Sequence, residues 1–539
     1  MAVDLILRNG RIYTQIGSQP WASALAIRGE RVVAVGGDDE VFSLSGPGSR
    51  VVDLGGKLVI PGLIDAHVHL SWYAHFLHNV DLTWAQTAQQ AAEVVAGQAQ
   101  RTPPGEWVLG RSWSQDRWPD RAFPTAAQLD ALVPHHPVCL DAQSGHAAWV
   151  NSAALRLAGI TADTPDPRGG RIGRDASGNP SGILFEAAMD LVKRIIPDPT
   201  PEQIAEQVKT AIRRAQRGGL TGIHDFDGAL AFQAYQLLRQ RGELDLRIVK
   251  NIPVELLDQA LAVGLRWGFG DDMLRIGGIK IFADGALGPR TAWMIEPYEG
   301  EPDNYGLCTT DPEEMMEAVS RASAGGLPAA IHAIGDRAVH HVLNVYEAVR
   351  AQEAARGIRP DQRRHRIEHV QIIHPDDAPR LGQLGIVASM QPNHATSDME
   401  MADRYWGARS EYAYNWRLQL DGGAVLAFGS DAPIEPIEPL PNIQAAVTRR
   451  RADGMPGPEG WRSGPRGRGR LAIEEAVRGF TLGPAYAAGM EDRLGRLAPG
   501  YFADLMVLGQ DIFTGDPMAI GEAPVLGTMV GGTWVHREF

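Results

Sequence analysis

Residues 61–70 read PGLIDAHVHL, an apolar run that ends on His67 and His69, two positions apart. On a β-strand alternate side chains share a face, so both imidazoles project to one side about 7 Å apart. Two neutral imidazoles so placed can grip one divalent ion if carboxylates or further histidines arrive from elsewhere. A chance pair in a turn is the alternative. The reading of the chain therefore turns on whether the remaining ligands exist.

Upstream of this stretch, residues 3–60 read as short strands around turn signals. DLILRNGRIYT carries Asn9-Gly10 between two apolar runs, a hairpin signal because both turn residues tolerate positive φ. The pattern repeats around Arg28-Gly29 and Gly55-Gly56, and again near the C-terminus in ADLMVLG and in VLGTMVGGTWVH, around Gly531-Gly532. Strands at both ends, with long helical patterns only between them, predict a small β-sandwich built from residues 1–60 and 486–539.

Downstream, apolar strands alternate with helical stretches. A segment at about 71–217 looks inserted after the first strand, because a βα unit needs far fewer residues. It holds a helix near 85–101, the tryptophan-rich WVLGRSWSQDRWP and SGHAAWVNSAALRLAGI. Seven further strand candidates follow: GGLTGIHDF, LRIVKNIPV, RIGGIKIFADG, LPAAIHAIGD, RHRIEHVQ, GIVASMQP and AVLAFGSDAP. With the His67 strand they make eight, so the fold class is α/β, a (β/α)8 TIM-like barrel over residues 61–485. The Gly-, Pro- and Arg-rich residues 451–470 read as a mobile surface loop.

Hydrophobic residues at 44% and charged residues at 22% describe an ordinary soluble globular protein. A net charge of −14 argues against nucleic-acid binding and against a polybasic membrane anchor. Two cysteines, Cys139 and Cys308, make no disulfide framework, fit a reducing compartment and are expected to pack. The N-terminal apolar stretch contains Asp4 and Arg8 and reads as a strand rather than a signal peptide. No uncharged apolar run is long enough to cross a bilayer. A cytoplasmic protein with a small-molecule substrate is expected.

Four strand ends answer the opening question. Lys280 in GGIKIFADG is flanked by apolar residues, an expensive place for an ammonium unless it is paired, with Asp284 the obvious partner, or modified. A lysine of depressed pKa can instead capture carbon dioxide as a carbamate that bridges two metals. His332 ends LPAAIH, and Gly335-Asp336 can start the next helix. In RHRIEHV, alternation puts His365, Ile367 and His369 on one face and Arg366 and Glu368 on the other. Asp431 ends AVLAFGSD, where Gly429 and Ser430 leave space around the carboxylate.

With these pieces together the chain resembles the metal-dependent amidohydrolase superfamily, and within it the YtcJ-like group that includes N-substituted formamide deformylases. The matching segments are PGLIDAHVHL, SGHAAWVNSAAL, GGRIGRDASGNPSGILFEAA, IKIFADGALGPRTA, HAIGDRAV, RHRIEHVQ and FGSDAP. The resemblance implies that His67, His69 and Asp431 hold a first metal ion, and that His332 and His369 hold a second with carboxylated Lys280 bridging. It implies zinc, one or two ions per chain, and a homodimer. It also implies hydrolysis of a non-peptide carbon–nitrogen bond by metal-activated hydroxide, with Asp431 as ligand and general acid/base. Deamination of a heterocycle, opening of a lactone or cyclic imide, and a non-catalytic metal-dependent binding protein are the competing readings.

Substrate contacts are expected at His146, where the family places a histidine near the substrate, although a cap on the following helix would also explain it. Arg290 is a candidate for a substrate carboxylate or carbonyl, or for a pair with Asp284, and Gln391 is a similar candidate. Trp113, Trp118, Trp293 and Trp72 are candidates for an apolar pocket wall or for core packing. Glu186 is similar to an acidic residue of the family, with a structural role as the alternative.

Overall fold

Eight parallel strands succeed one another in chain order around a single sheet in the computed structural model, which describes residues 3–462 and 469–539. They are β1 (Leu63–Val68), β2 (Leu220–Asp225), β3 (Arg247–Pro253), β4 (Leu274–Phe282), β5 (Ala329–Ala333), β6 (Arg366–His369), β7 (Val387–Met390) and β8 (Val425–Phe428). Their residues are almost all buried, as expected of parallel strands covered on both faces. The cylinder closes where Asp431 N donates to His67 O at 2.7 Å and His69 N donates to Ala432 O at 3.0 Å. That closure needs a glycine. A Cβ on Gly429 would sit 2.4 Å from His67 N, so Gly429 serves the approach of β8 to β1 rather than space around Asp431.

Helices separate most of the strands. The helix Pro201–Arg217 buries Ile204, Ala205, Val208, Ala211, Ile212 and Ala215, an i, i+3/i+4 stripe. The helix Pro312–Gly325 starts at Asp311, whose side chain accepts from Glu313 N, and stops at Gly326 in the left-handed region. The helix Asp336–Ala355 begins after Gly335, as read from the sequence.

The termini build two sheets against one core. A four-stranded sheet orders Arg31–Gly36, Ala24–Arg28, Leu5–Arg8 and Arg50–Asp53. A six-stranded sheet orders Thr533–Arg537, Val525–Val530, Leu505–Leu508, Leu58–Pro61, Arg11–Ile16 and Gln19–Ala22. The N- and C-terminal strands join where Leu505–Leu508 runs antiparallel to Leu58–Pro61. Leu5, Leu25, Ile27, Val59, Leu505 and Val507 share the core. Two of the four glycine turns are hairpins, at Arg28-Gly29 and Gly531-Gly532. The other two are corners. Leu5–Arg8 and Arg11–Ile16 lie in different sheets, so Asn9, at φ 53°, hands the chain across the sandwich, and Gly55-Gly56 does the same in return. A positive-φ turn sets a sharp reversal but does not choose the partner strand. Here the apolar faces on both sides of the corner bury against each other.

The chain divides into two compact units, one running to Tyr73 and resuming over Ile204–Phe539, the other Ala74–Gln203. The second unit therefore ends before the helix Pro201–Arg217 turns its apolar stripe inward, short of the expected 217. Its six-stranded sheet orders Gly170–Arg174, Pro180–Glu186, Ala147–Val150, Val138–Ala142, Val108–Trp113 and Val80–Asp81. The helix Ala88–Ala99 falls within the expected 85–101. Cys139 packs in this unit's core, but Cys308 is exposed, which corrects the expectation that both pack. The helix Leu482–Ala488 lies against the barrel, and the C-terminal sandwich strands begin at Leu505. Residues 451–462 form successive turns. The rest of the anticipated loop falls partly on 463–468, outside the described residues. Among the described residues no helix is long and apolar enough to cross a membrane.

Candidate metal centre

The strand ends bring His67, His69, Lys280, His332, His369 and Asp431 to one place. Ring centroids lie 5.6 Å apart for His67 and His69, 4.9 Å for His67 and His369, and 4.6 Å for His332 and His369. All six line an open cavity of about 370 Å³. Asp431 Oδ1 stands 3.6 Å from His67 Nε2 and 3.5 Å from His69 Nε2. The donor atoms of His67, His69 and Asp431 lie within 4.8 Å of one another.

A second group shares the carboxylate. His394, Asp431 and His369 also place one donor atom each within 4.8 Å of the others. His394 Nε2 is 3.7 Å from Asp431 Oδ2 and has no hydrogen-bond partner among the described residues. Nothing in the sequence singled it out, because it lies in the short helix Pro392–Ser397, beyond the strand end rather than on it. Its only local signal was its place just after an apolar run. His332 stands beside His369 but outside both groups, with its Nε2 2.9 Å from Gly285 O.

The outer ring nitrogens are held. His67 Nδ1 lies 2.6 Å from Glu368 Oε2, His69 Nδ1 3.3 Å from Asp227 Oδ1, and His369 Nδ1 2.8 Å from Gln391 Oε1. Such partners fix both tautomer and ring direction, leaving Nε2 of each ring free to bind an ion. Glu368 is itself fixed by Arg366, whose Nη2 also donates to Ser389 Oγ and Ala66 O, and whose Nη1 meets His224 Nδ1 at 2.8 Å. Asp65 accepts from His67 N and from the Ser430 hydroxyl at 2.5 Å. Glu368, Asp227 and Asp65 were not singled out in the sequence. Their roles depend on strands distant in the chain.

Strand alternation misplaces one residue. It puts His369 on the face of His365, yet His365 packs outward, its Nδ1 accepting from Ala329 N and its Nε2 2.9 Å from Glu353 Oε1. His369 takes φ 77° and Val370 φ 44°, so the chain leaves β6 in the left-handed region and His369 joins the centre with Glu368. Period-two reasoning ends where the strand ends.

Burial sets the charges. It holds His67 and His369 well below the usual imidazole range, with Lys280 also pushing His67 down and His332 pushing His369 down. His394 is lowered by burial to about 4 and His332, by burial and then Lys280, to about 3. Burial lowers Lys280 to about 8 against the pull of Glu368 and Asp431, and Nζ has no hydrogen-bond partner among the described residues. Burial raises Asp431 to about 6, opposed by His69 and Lys280. His69 goes the other way: burial lowers it, but the Asp227 hydrogen bond and the charges of Asp227 and Asp431 outweigh that and raise it. Imidazoles that are otherwise held neutral around a carboxylate form a donor set for a divalent ion of the zinc type.

Other sequence candidates fall elsewhere. Asp284 accepts from the backbone of Trp293, Ile334 and Gly335, so neither Lys280 nor Arg290 pairs with it. Arg290 instead binds Glu301 and lies over the Tyr405 ring, and it does not line the cavity, which corrects its assignment as a substrate contact. Gln391 is buried and spends its carbonyl on His369, so it positions a ring rather than walling the cavity. Trp113 is fully buried in the 74–203 unit beside Trp118 and Trp149, with Nε1 donating to Leu140 O, a packing role that overturns the pocket-wall alternative. Trp118 is buried there too. Trp293 stacks on His341. Only Trp72 of the four lines the cavity. In the 74–203 unit, exposed His146 pairs with Glu186 at 3.0 Å, and the following helix is capped by Asn151, so His146 is not its cap.

Residues 50–536 match the Amidohydrolase family. The chain is 35% identical to Protein LONG AFTER FAR-RED 3 of Arabidopsis thaliana over 99% of this chain and 92% of that one. It is 31% identical to the protein YtcJ of Bacillus subtilis over 99% of both. It is 30% identical to an N-substituted formamide deformylase of Arthrobacter pascens, over 98% of this chain and 97% of that one. A solved structure of a metal-dependent hydrolase from Pyrococcus furiosus superposes with a TM-score of 0.78 at 29% identity, over 95% of this chain and all of that one. By fold, by full-length similarity and by the family match, the chain belongs to the amidohydrolase family.

Proposed function

We propose that this chain is a zinc-dependent hydrolase that cleaves an N-acyl or N-formyl amine bearing an apolar substituent. Metal-dependent hydrolysis of carbon–nitrogen bonds is the chemistry of its family, and its relative in Arthrobacter pascens is an N-substituted formamide deformylase. The observation that carries the reading is one carboxylate, Asp431, shared by two groups of histidines that are buried apart from half-buried His69.

In this reading His67, His69 and Asp431 hold one ion. His369, His332 and Lys280 serve a second position, with His394 as a further donor. An ion held there would supply Lewis acidity for a carbonyl and for a water acidic near neutral pH. Asp431 accepts the proton of the attacking water and delivers it to the leaving nitrogen, as its burial-raised pKa suits. Lys280, partly neutral and without a hydrogen-bond partner among the described residues, suits carbamate formation, in which Nζ bonds the carbon of carbon dioxide and releases a proton. Trp72, Phe282, Leu287, Ile334, Met401 and Ile434 give the cavity an apolar wall for the amine substituent.

The test is metal content per chain, read together with amine release from a panel of N-formyl and N-acyl amines. Ammonia release from heterocycles instead would favour a deaminase, and turnover of lactones or cyclic imides alone would favour ring opening. A metal-loaded protein inert to every amide, ester and lactone would overturn the enzyme reading.

A further inference from the structure

The cavity has a polar rim that the proposed chemistry leaves unused. Asp398 follows His394 by four residues and Glu435 follows Asp431 by four, and both carboxylates line the cavity. Ser397 Oγ donates to Glu435 Oε1 at 2.5 Å and Tyr414 OH donates to Asp398 Oδ2 at 2.6 Å, so among the described residues each carboxylate keeps an oxygen with no donor. Among the described residues neither forms an ion pair. Burial raises both pKa values; Asp398 pushes Glu435 further up, while the Tyr414 hydrogen bond draws Asp398 back.

Among the described residues Lys280 is the only lysine or arginine of the cavity lining, the other basic side chains being the histidines of the centre, and Arg290 is committed to Glu301. A carboxylate-bearing substrate therefore meets two acids and no guanidinium at this rim. His394, 5% exposed, also presents to this cavity an Nε2 with no hydrogen-bond partner among the described residues, open to a polar group of the substrate wherever it is not holding an ion.

We infer that Asp398 and Glu435 form a subsite for a positively charged group, so that the favoured substrates are N-acyl or N-formyl amines carrying a second, cationic amine. This rests on the hydrolase reading above and narrows it. A cation between the two carboxylates relieves their mutual repulsion and restores the charge that burial suppresses. The apolar wall takes the spacer between the two nitrogens.

Three compounds on one skeleton test it with zinc-loaded protein: N-benzylformamide, its 4-aminomethyl derivative and its 4-carboxylate. The cationic compound is expected to exceed the neutral one in kcat/KM by about tenfold, and the anionic compound to fall below it by a similar factor. In Glu435→Gln and Asp398→Asn the cation-to-neutral ratio should move toward one, whatever the absolute rate. Calorimetric binding of the same compounds gives a readout that does not need turnover. Absent hydrolysis with cation-selective binding would overturn the proposed reaction but support the subsite. Hydrolysis or binding indifferent to the substituent's charge would overturn the subsite alone.

Discussion

Glu368 Oε2 lies 2.6 Å from His67 Nδ1, and this contact orients the first histidine of the centre from a strand five places further round the barrel. The carboxylate is clamped in turn by Arg366, so His67 has one ring direction and one free nitrogen.

Glu368→Gln should therefore weaken zinc binding by roughly 10- to 100-fold, as loss of an outer-shell partner does. It should also cost about 3–5 kcal/mol of stability by leaving Arg366 a buried charge without its carboxylate. Competition with a chelator reads the first effect and urea unfolding the second; unchanged affinity would remove Glu368 from the positioning of His67.

Asp431→Asn should keep the fold and part of the metal but lower kcat by about 100- to 10,000-fold, because the amide cannot take up the proton of water. Turnover normalised to bound zinc is the measurement, and an active variant would contradict the assigned role.

His394→Ala tests the donor that sequence reading missed. If its Nε2 binds an ion, removal should cost affinity for one ion beyond the roughly 10- to 100-fold typical of an outer-shell partner. Zinc stoichiometry by elemental analysis should fall with it. Stoichiometry and affinity equal to the parent's would make His394 a cavity residue only.

Trp113→Phe should destabilise the 74–203 unit by about 1–2 kcal/mol, through lost volume and the lost hydrogen bond to Leu140 O. KM for an amide substrate should stay at the parental value. A raised KM with unchanged thermal stability would return Trp113 to the substrate pocket.

Glu353 governs an acid-sensitive part of the fold. Burial pushes its carboxyl up, but His365 Nε2 at 2.9 Å, Ser323 Oγ at 2.5 Å and Arg350 Nη1 at 2.6 Å outweigh that and hold it at about 2, against an ordinary 4.5. The ionised form is thus favoured in the folded chain by about 3 kcal/mol. That contribution is complete above pH 4.5 and is lost as pH falls toward 2. Glu353→Gln should flatten the pH dependence of urea-unfolding stability over this interval, and an unchanged slope would refute the assignment.

The amino-acid sequence by itself determined the barrel, because eight apolar runs separated by helical stretches leave parallel strands few other arrangements. It also marked His67, His69, His332 and Asp431, each standing where such a run stops, and Lys280, a lone cation within one. Tertiary structure alone decided what surrounds them. Asp227, Glu368 and His394 come from different strands and loops, and no local pattern relates any of them to His67. His369 enters the centre only because the backbone turns left-handed as β6 ends, and Asn9-Gly10 joins two sheets rather than two paired strands. Periodicity reports which face of an element is buried. Which residue meets which across that face depends on closure of the cylinder and on the packing of the sheets, and both are contacts between residues far apart in the chain.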